Sequence, residues 1–209
     1  LAKLGERVNP ERDVVKVGQK RIQAKFIKPT IFMVNKPKGF TCSNDDPHAE
    51  RLIFELLETR HRNIRLFCAG RLDLDSEGLV ILTNDGKLAH RLTHPSQKVQ
   101  KKYKVEINQP LEKDAFQAML AGFEDDGDFL QLDEIRAKAG NPVGSTKLEI
   151  TMGHGKKREI RRCMGRYRYK VKKLRRTSIG GLRLGKLPLG TYRDLKDSEI
   201  DLLFPKQIS

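Results

Sequence analysis

Apolar residues fall in short blocks along this 209-residue chain, and none approaches the ~20 residues that cross a bilayer. Ile31–Asn35 (IFMVN) reads as a buried strand, closed by the Pro and Gly of Lys36–Gly39 (KPKG). Ala49, Leu52, Ile53, Leu56 and Leu57 recur at i, i+3, i+4, i+7 and i+8, which predicts a helix with one buried face, capped from NDDP (Asn44–Pro47). Leu66–Ala69 is a short apolar strand and Leu79–Thr83 (LVILT) a central one, stopped by Asn84-Asp85-Gly86. Lys87–His94 reads as a helix starting at that Asp/Asn cap. Lys101–Ile107 alternates as a strand, Leu111–Phe123 is an amphipathic helix ending at Gly122, and Ser145–Met152 is a strand. Lys156–Met164 is a short basic helix, Val171–Ile179 a basic strand, and Asp197–Phe204 a closing helix.

Strands and helices mix without a regular βαβ rhythm, and there is no repeat or low-complexity tract. The expected fold is α+β: a mixed, largely antiparallel sheet with flanking helices. Residues 1–28 form a basic leader in which VVKV and KRIQ flank Gly18-Gln19, a short hairpin or the end of a preceding module. Residues 29–209 are then the main domain. The first residue is not Met, as in a piece of something longer, and the start lacks the apolar core of a signal peptide, so the expected compartment is the cytoplasm. Hydrophobic content of 37 % suits a globular protein. Cys42, Cys68 and Cys163 lie far apart with no CxxC pair, which argues against zinc and for reduced thiols, buried or inert.

Charge sharpens the picture. The formal net charge is +15, and Thr151–Lys186 holds 14 Lys or Arg against one acid, Glu159. Such concentration points to a polyanion, with a plain solvated basic face as the bland alternative. Gly and Pro interrupt the segment, unlike a membrane-surface helix.

Within this basic chain, CAGRLDLDSEGLVILTNDG (Cys68–Gly86) places Asp73 and Asp75 between Arg71 and an apolar run. Three readings compete. Paired carboxylates can hold a hard cation, as in DxD phosphatases, although Glu77 stands at the fifth position of that motif. Asp75 and Ser76 can be turn and cap residues. Or Asp73 is a lone reacting carboxylate, with Arg71 two residues away on the same side of an extended segment.

GRLDLDSEGLVILTNDG resembles the catalytic motif of pseudouridine synthases in the RsuA/RluB/RluE/RluF family, which modifies ribosomal RNA. The resemblance continues in VNKPKGFTCSNDDP, KKYKV, KREIRR and VKKLRRTSIGGLRLGKLPLGTYRDL, in family order across most of residues 31–196. Members usually begin with an S4 RNA-binding domain, and GERVNPERDVVKVGQKRI is similar to its tail. The usual GxNRQIRR stands here as GKKREIRR, with Glu159 for Gln, and RYRY replaces the Leu-Gly or Phe-Gly pair that often follows.

The resemblance implies isomerisation of uridine in ribosomal RNA, with transfer RNA as a secondary substrate class. No cofactor is needed, because the reaction has no redox step and no net hydrolysis. It casts Asp73 as nucleophile or base, a role glycosidase carboxylates also fill, and Arg161 as the cation that keeps Asp73 ionised. Tyr103 would stack on the target base, Leu174 would lie behind it, and Arg71 would enter the space that the flipped uridine vacates. Without the resemblance, Arg161 and Arg71 read as phosphate contacts, Tyr103 as a half-exposed strand residue and Leu174 as core. CSNDDP is similar to small-subunit enzymes, whereas VKKLRRTSIG and PLGTYRDL are similar to large-subunit ones, and the balance tips to the large subunit. A monomer is expected. The alternative is a non-catalytic RNA-binding module of the same fold.

Overall fold

The computed structural model describes residues 8–9, 13–22, 29–44, 46–138 and 140–204. Strands β1 (Val15–Val17) and β2 (Lys20–Ile22) form the expected hairpin, with Gly18 at φ +60 in the turn. Much of the rest of the leader, residues 1–7, 10–12 and 23–28, lies outside the described residues, and with it the comparison with an S4 tail.

The main domain runs β3 (Ile31–Lys36), α1 (Thr59–Arg62), β4 (Phe67–Ala69), β5 (Glu77–Thr83), α2 (Gly86–Thr93), β6 (Lys101–Ile107) and α3 (Lys113–Ala121). It continues through β7 (Phe123–Asp125), β8 (Asp128–Leu130), β9 (Glu134–Ala137), β10 (Lys147–Met152), α4 (Glu159–Arg166), β11 (Val171–Ile179), β12 (Leu182–Arg183), β13 (Tyr192–Asp194) and α5 (Asp197–Ile200). Nine strands make one sheet in the order β13-β3-β5-β11-β6-β10-β9, with β4 beside β5 and β12 beside β11. Among the described strands of this sheet only the β5–β11 pairing is parallel, so the fold is α+β with a mixed, largely antiparallel sheet.

Period-two alternation sorts the side chains onto two faces. Phe32, Val34, Val80, Leu82, Tyr103 and Leu174 point to one, where α3 and α4 pack through Met119, Ile160 and Met164. Ile31, Met33, Leu79 and Ile81 point to the other, under Leu88 and Leu92 of α2. Asp85 caps α2 by accepting from the backbone N–H groups of Lys87 and Leu88, as expected from its place after the strand.

One expected helix is not there. Over 49–57 the chain makes only a single 3-10 turn, Ile53–Leu56, before the short α1. Ile53 and Leu57 are buried as the spacing required, but the backbone goes elsewhere. Thr41 N–H donates to the Arg51 carbonyl and Ile53 N–H donates to the Thr41 carbonyl, at 2.8 and 3.0 Å. That bridge draws 51–53 into an extended path, and tertiary pairing wins over helical periodicity.

The topology also opens the sheet. β3 occupies one edge of β5 along Gly78–Thr83. The other edge is shared: β11 pairs with Glu77 and Gly78, whereas β4 pairs with Ile81–Thr83. The loop Gly70–Ser76 leaves β4 and re-enters at β5 where these two neighbours part.

Candidate active site

Buried cations hold the loop Gly70–Ser76 from beneath. Arg176 of β11 is 2 % exposed; its Nε donates to the Leu79 carbonyl at 2.7 Å, and its Nη atoms to the Arg71 and Gly70 carbonyls at 3.2 and 3.4 Å. Lys36 of β3 is fully buried, and its Nζ donates to the carbonyls of Ser76 and Pro37 at 2.8 and 2.9 Å. Burial lowers the Lys36 pKa, and the charges of Cys42, Asp73 and Asp75 oppose that. The KPKG turn adds a bond from Gly39 N–H to the Leu74 carbonyl. Gly78 stands at φ +112 against Arg176, where a Cβ would overlap the Arg176 carbonyl, so only glycine fits this close strand crossing.

The solvent side of the loop carries its charged side chains. Asp73 is 31 % exposed and Asp75 46 %. Arg158 Nη1 and Nη2 each donate to one Asp75 oxygen at 3.2 Å, and Nη1 lies 3.8 Å from Asp73 Oδ2. Arg161 Nε lies 3.2 Å from Asp75 Oδ2, and its Nη2 donates to the Asp75 carbonyl and to Ser76 Oγ. Partial burial pulls the Asp75 carboxyl upward, but the hydrogen bonds from Arg158 and the charges of Arg161 and Arg158 outweigh it and hold its pKa below the ordinary range.

This corrects one expectation. The cation expected beside Asp73 was Arg161; its direct partner is Asp75, and Arg158 is the arginine that also approaches Asp73. Arg161 sits on α4 with Nη1 donating to the Val171 carbonyl, so its fork is tied to the Asp75–Ser76 end of the loop. Asp75 thus does more than shape a turn: its carboxylate gathers two guanidinium groups.

A family model described as RNA pseudouridylate synthase matches residues 30–165. The chain belongs to the RNA pseudouridylate synthase family. An uncharacterized RNA pseudouridine synthase of Aquifex aeolicus is 37 % identical over 96 % of this chain and 79 % of its own length. Ribosomal large subunit pseudouridine synthase B of Vibrio vulnificus is 30 % identical over 97 % of this chain and 64 % of its own. A crystal structure of a pseudouridylate synthase superposes with a TM-score of 0.75 at 30 % identity, covering 95 % of this chain and 83 % of that one. The protein is therefore an isomerase that acts on RNA.

The synthase places its other expected site residues unevenly around the loop. Tyr103 and Leu174 lie on adjacent strands in one apolar cluster, 8 and 5 % exposed, so Tyr103 is more buried than a half-exposed strand tyrosine. Arg71 is exposed on the loop, its carbonyl fixed by Arg176. Three participants were missed in the sequence. Arg158 was lost among the basic residues of its segment. Lys36 and Arg176 had a readable signal: each follows a core residue by two positions on a strand, Val34 and Leu174, and must point the same way.

Two further departures surround the site. Glu159 is 3 % exposed; its Oε2 accepts from Lys156 N–H at 2.8 Å and meets His154 Nδ1 at 3.0 Å, while its Oε1 is buried with no hydrogen-bond partner. The carboxylate at the usual Gln position therefore pins the turn into α4. All three cysteines are free, but Cys42 and Cys68 hydrogen-bond to each other under the loop. The bond from Cys68 lowers the Cys42 pKa against the effect of burial, and the Cys68 thiol is pushed up. Cys42 and Cys163 are buried and Cys68 is half-buried. Among the described residues no helix is long and apolar enough to cross a membrane.

Proposed function

We propose that this synthase converts a uridine of ribosomal RNA, in the large subunit, to pseudouridine, with Asp73 as the reacting carboxylate. The observation that carries the proposal is the placement of Asp73 on a loop clamped by Arg176 and Lys36, beside a guanidinium cluster that stabilises anions. The likeness of VKKLRRTSIG and PLGTYRDL to large-subunit enzymes, and the name of the Vibrio relative, support the choice of subunit.

In the reaction the N1–C1′ bond of the nucleotide breaks, the uracil turns, and C5 bonds to C1′. The C5 proton is lost and N1 gains one, so composition is unchanged. Asp73 either attacks C1′ or removes a sugar proton; both routes use its ionised form. Tyr103 stacks on the base with Leu174 behind it, and Arg71 fills the gap left by the flipped nucleotide. Arg161 positions Asp73 through Asp75 and Ser76 rather than by direct pairing. The chain works as a monomer in the cytoplasm, with residues 1–28 as the linker or tail of an N-terminal S4-like RNA-binding module.

The test is to map pseudouridines across ribosomal RNA from cells lacking the protein. One or more large-subunit positions should revert to uridine and return when the wild-type chain is supplied. A large-subunit map identical to that of the parent strain would contradict the proposal.

A further inference from the structure

α2 packs on β4 and β5 on one face of the sheet. On that same face, beyond β5, the strands β11, β6 and β10 expose a groove of about 590 Å³. Its lining includes Lys102, Lys104, Arg175, Arg183, Ser178 and Glu149, with three glycines on the rim. Alternation puts Lys102, Lys104 and Arg175 opposite Tyr103, Leu174 and Arg176, and the register shift between Arg176 and Ser178 brings Ser178 across from Lys102, so the groove faces away from the Gly70–Ser76 loop.

The strand register places like charges together. Arg175 stands directly opposite Lys104, and Glu149 on the next strand lies 4.0 Å from Lys104. Ser178 stands opposite Lys102 on one side and Arg183 on the other. Glu77, the other neighbour of Arg175, is taken by Lys173 at 3.2 Å. Among the described residues, Lys102, Arg175 and Arg183 have no carboxylate in ion-pair range. Like charges opposed across strands destabilise a sheet. Two buried polar atoms here also lack any hydrogen-bond partner: Arg175 Nε and the Oγ of Ser178, a residue 6 % exposed. Four cations and two unsatisfied polar atoms around one depression are the complement of an anion.

We infer that this groove is a second RNA site, which takes the phosphodiester backbone of a duplex segment distant from the target uridine. The lining contains no aromatic side chain, whereas protein interfaces are rich in aromatics and poor in Lys. Phosphate oxygens would pair the opposed cations. Because the groove and the loop lie on opposite faces, one nucleotide cannot occupy both, and the groove selects RNAs that fold around the sheet edge. The inference rests on RNA as the substrate class and not on Asp73.

The probe is an RNA duplex of G·C pairs alone, which offers no uridine to the cleft. Its affinity for the full chain is measured by fluorescence anisotropy across a salt series, for wild type and for Lys104→Glu/Arg183→Glu. Both substituted residues are exposed; a carboxylate at position 104 stands opposite Glu149 on one side and Arg175 on the other, so thermal denaturation accompanies the binding measurement to show the variant folded. The double variant should bind at least tenfold more weakly, with the slope of log K against log salt shallower by about 1.8 for two lost phosphate contacts. Tritium release from a short uridine-labelled stem-loop should be unchanged, and Lys104→Arg/Arg183→Lys should restore duplex binding. Unchanged duplex affinity and slope would overturn the inference, including the case in which the groove seats an acidic protein. Failure of the isomerase reading is distinguishable, since it would abolish tritium release in the wild type without touching duplex binding.

Discussion

Replacing Arg176 with Met removes a guanidinium that is 2 % exposed and donates to three loop and strand carbonyls. A hydrogen bond from a charged donor contributes ~1.5–3 kcal/mol. The 2.7 Å bond to Leu79 counts fully, while the 3.2 and 3.4 Å bonds to Arg71 and Gly70 are weaker. Against this stands relief from burying a charge that meets no carboxylate partner among the described residues. The net loss should be ~2–4 kcal/mol, small enough to leave a domain of ordinary stability folded. The rate should suffer more than folding does, because Gly70 and Arg71 lead directly to Asp73, and a displacement of ~1 Å at a reacting group can lower a rate by ~10²-fold. Urea unfolding measures the first effect. Single-turnover tritium release at saturating RNA, where the unfolding curve shows the variant folded, measures the second. Arg176→Lys should recover part of the stability but little of the rate, since one ammonium cannot span three carbonyls. A folded Arg176→Met that reacts at the wild-type rate would refute the clamp.

Asp75→Asn should keep the turn, since Asn is a good turn residue, and release Arg158 toward Asp73; single-turnover rates within about tenfold of wild type are expected, and a folded but dead variant would move the essential charge to Asp75. Glu199, paired with Arg193 at 2.6 Å, has its pKa lowered from 4.5 to about 2 by that hydrogen bond. Its contribution is therefore complete above pH 4.5 and lost as pH falls toward 2, so the acid limb of the unfolding profile should flatten in Glu199→Gln. Gly78→Ala forces a Cβ into the Arg176 backbone at a positive φ and should lower the melting temperature by several degrees or prevent soluble expression, measured by thermal denaturation.

Most strands were legible because their alternation or apolar runs match how they are buried: β3, β5, β6, β10 and β11 fall where the pattern put them. The 49–57 segment misled because Ile53 and Leu57 are both buried, which satisfies helical spacing without revealing that Arg51 and Ile53 bond to Thr41. The short strands β9 and β13 carry little periodicity of their own and exist through their neighbours. At the site, motif order was enough to nominate the Asp73 loop and the arginine block, which the fold brings together. Which arginine meets which carboxylate depended on the αL turn at Arg158, at φ 52, and on the angle of α4, neither of which a linear pattern encodes. The same holds for the Cys42–Cys68 contact, made by segments 26 residues apart.

The central claim is that the Asp73 carboxylate performs the chemistry. Asp73→Asn preserves shape and hydrogen-bonding capacity and removes only the charge. Single-turnover tritium release from uridine-labelled ribosomal RNA should fall below detection in this variant, with RNA affinity retained or slightly improved, because binding rests on the basic surface. Turnover by a folded Asp73→Asn protein at a measurable fraction of the wild-type rate would contradict the account.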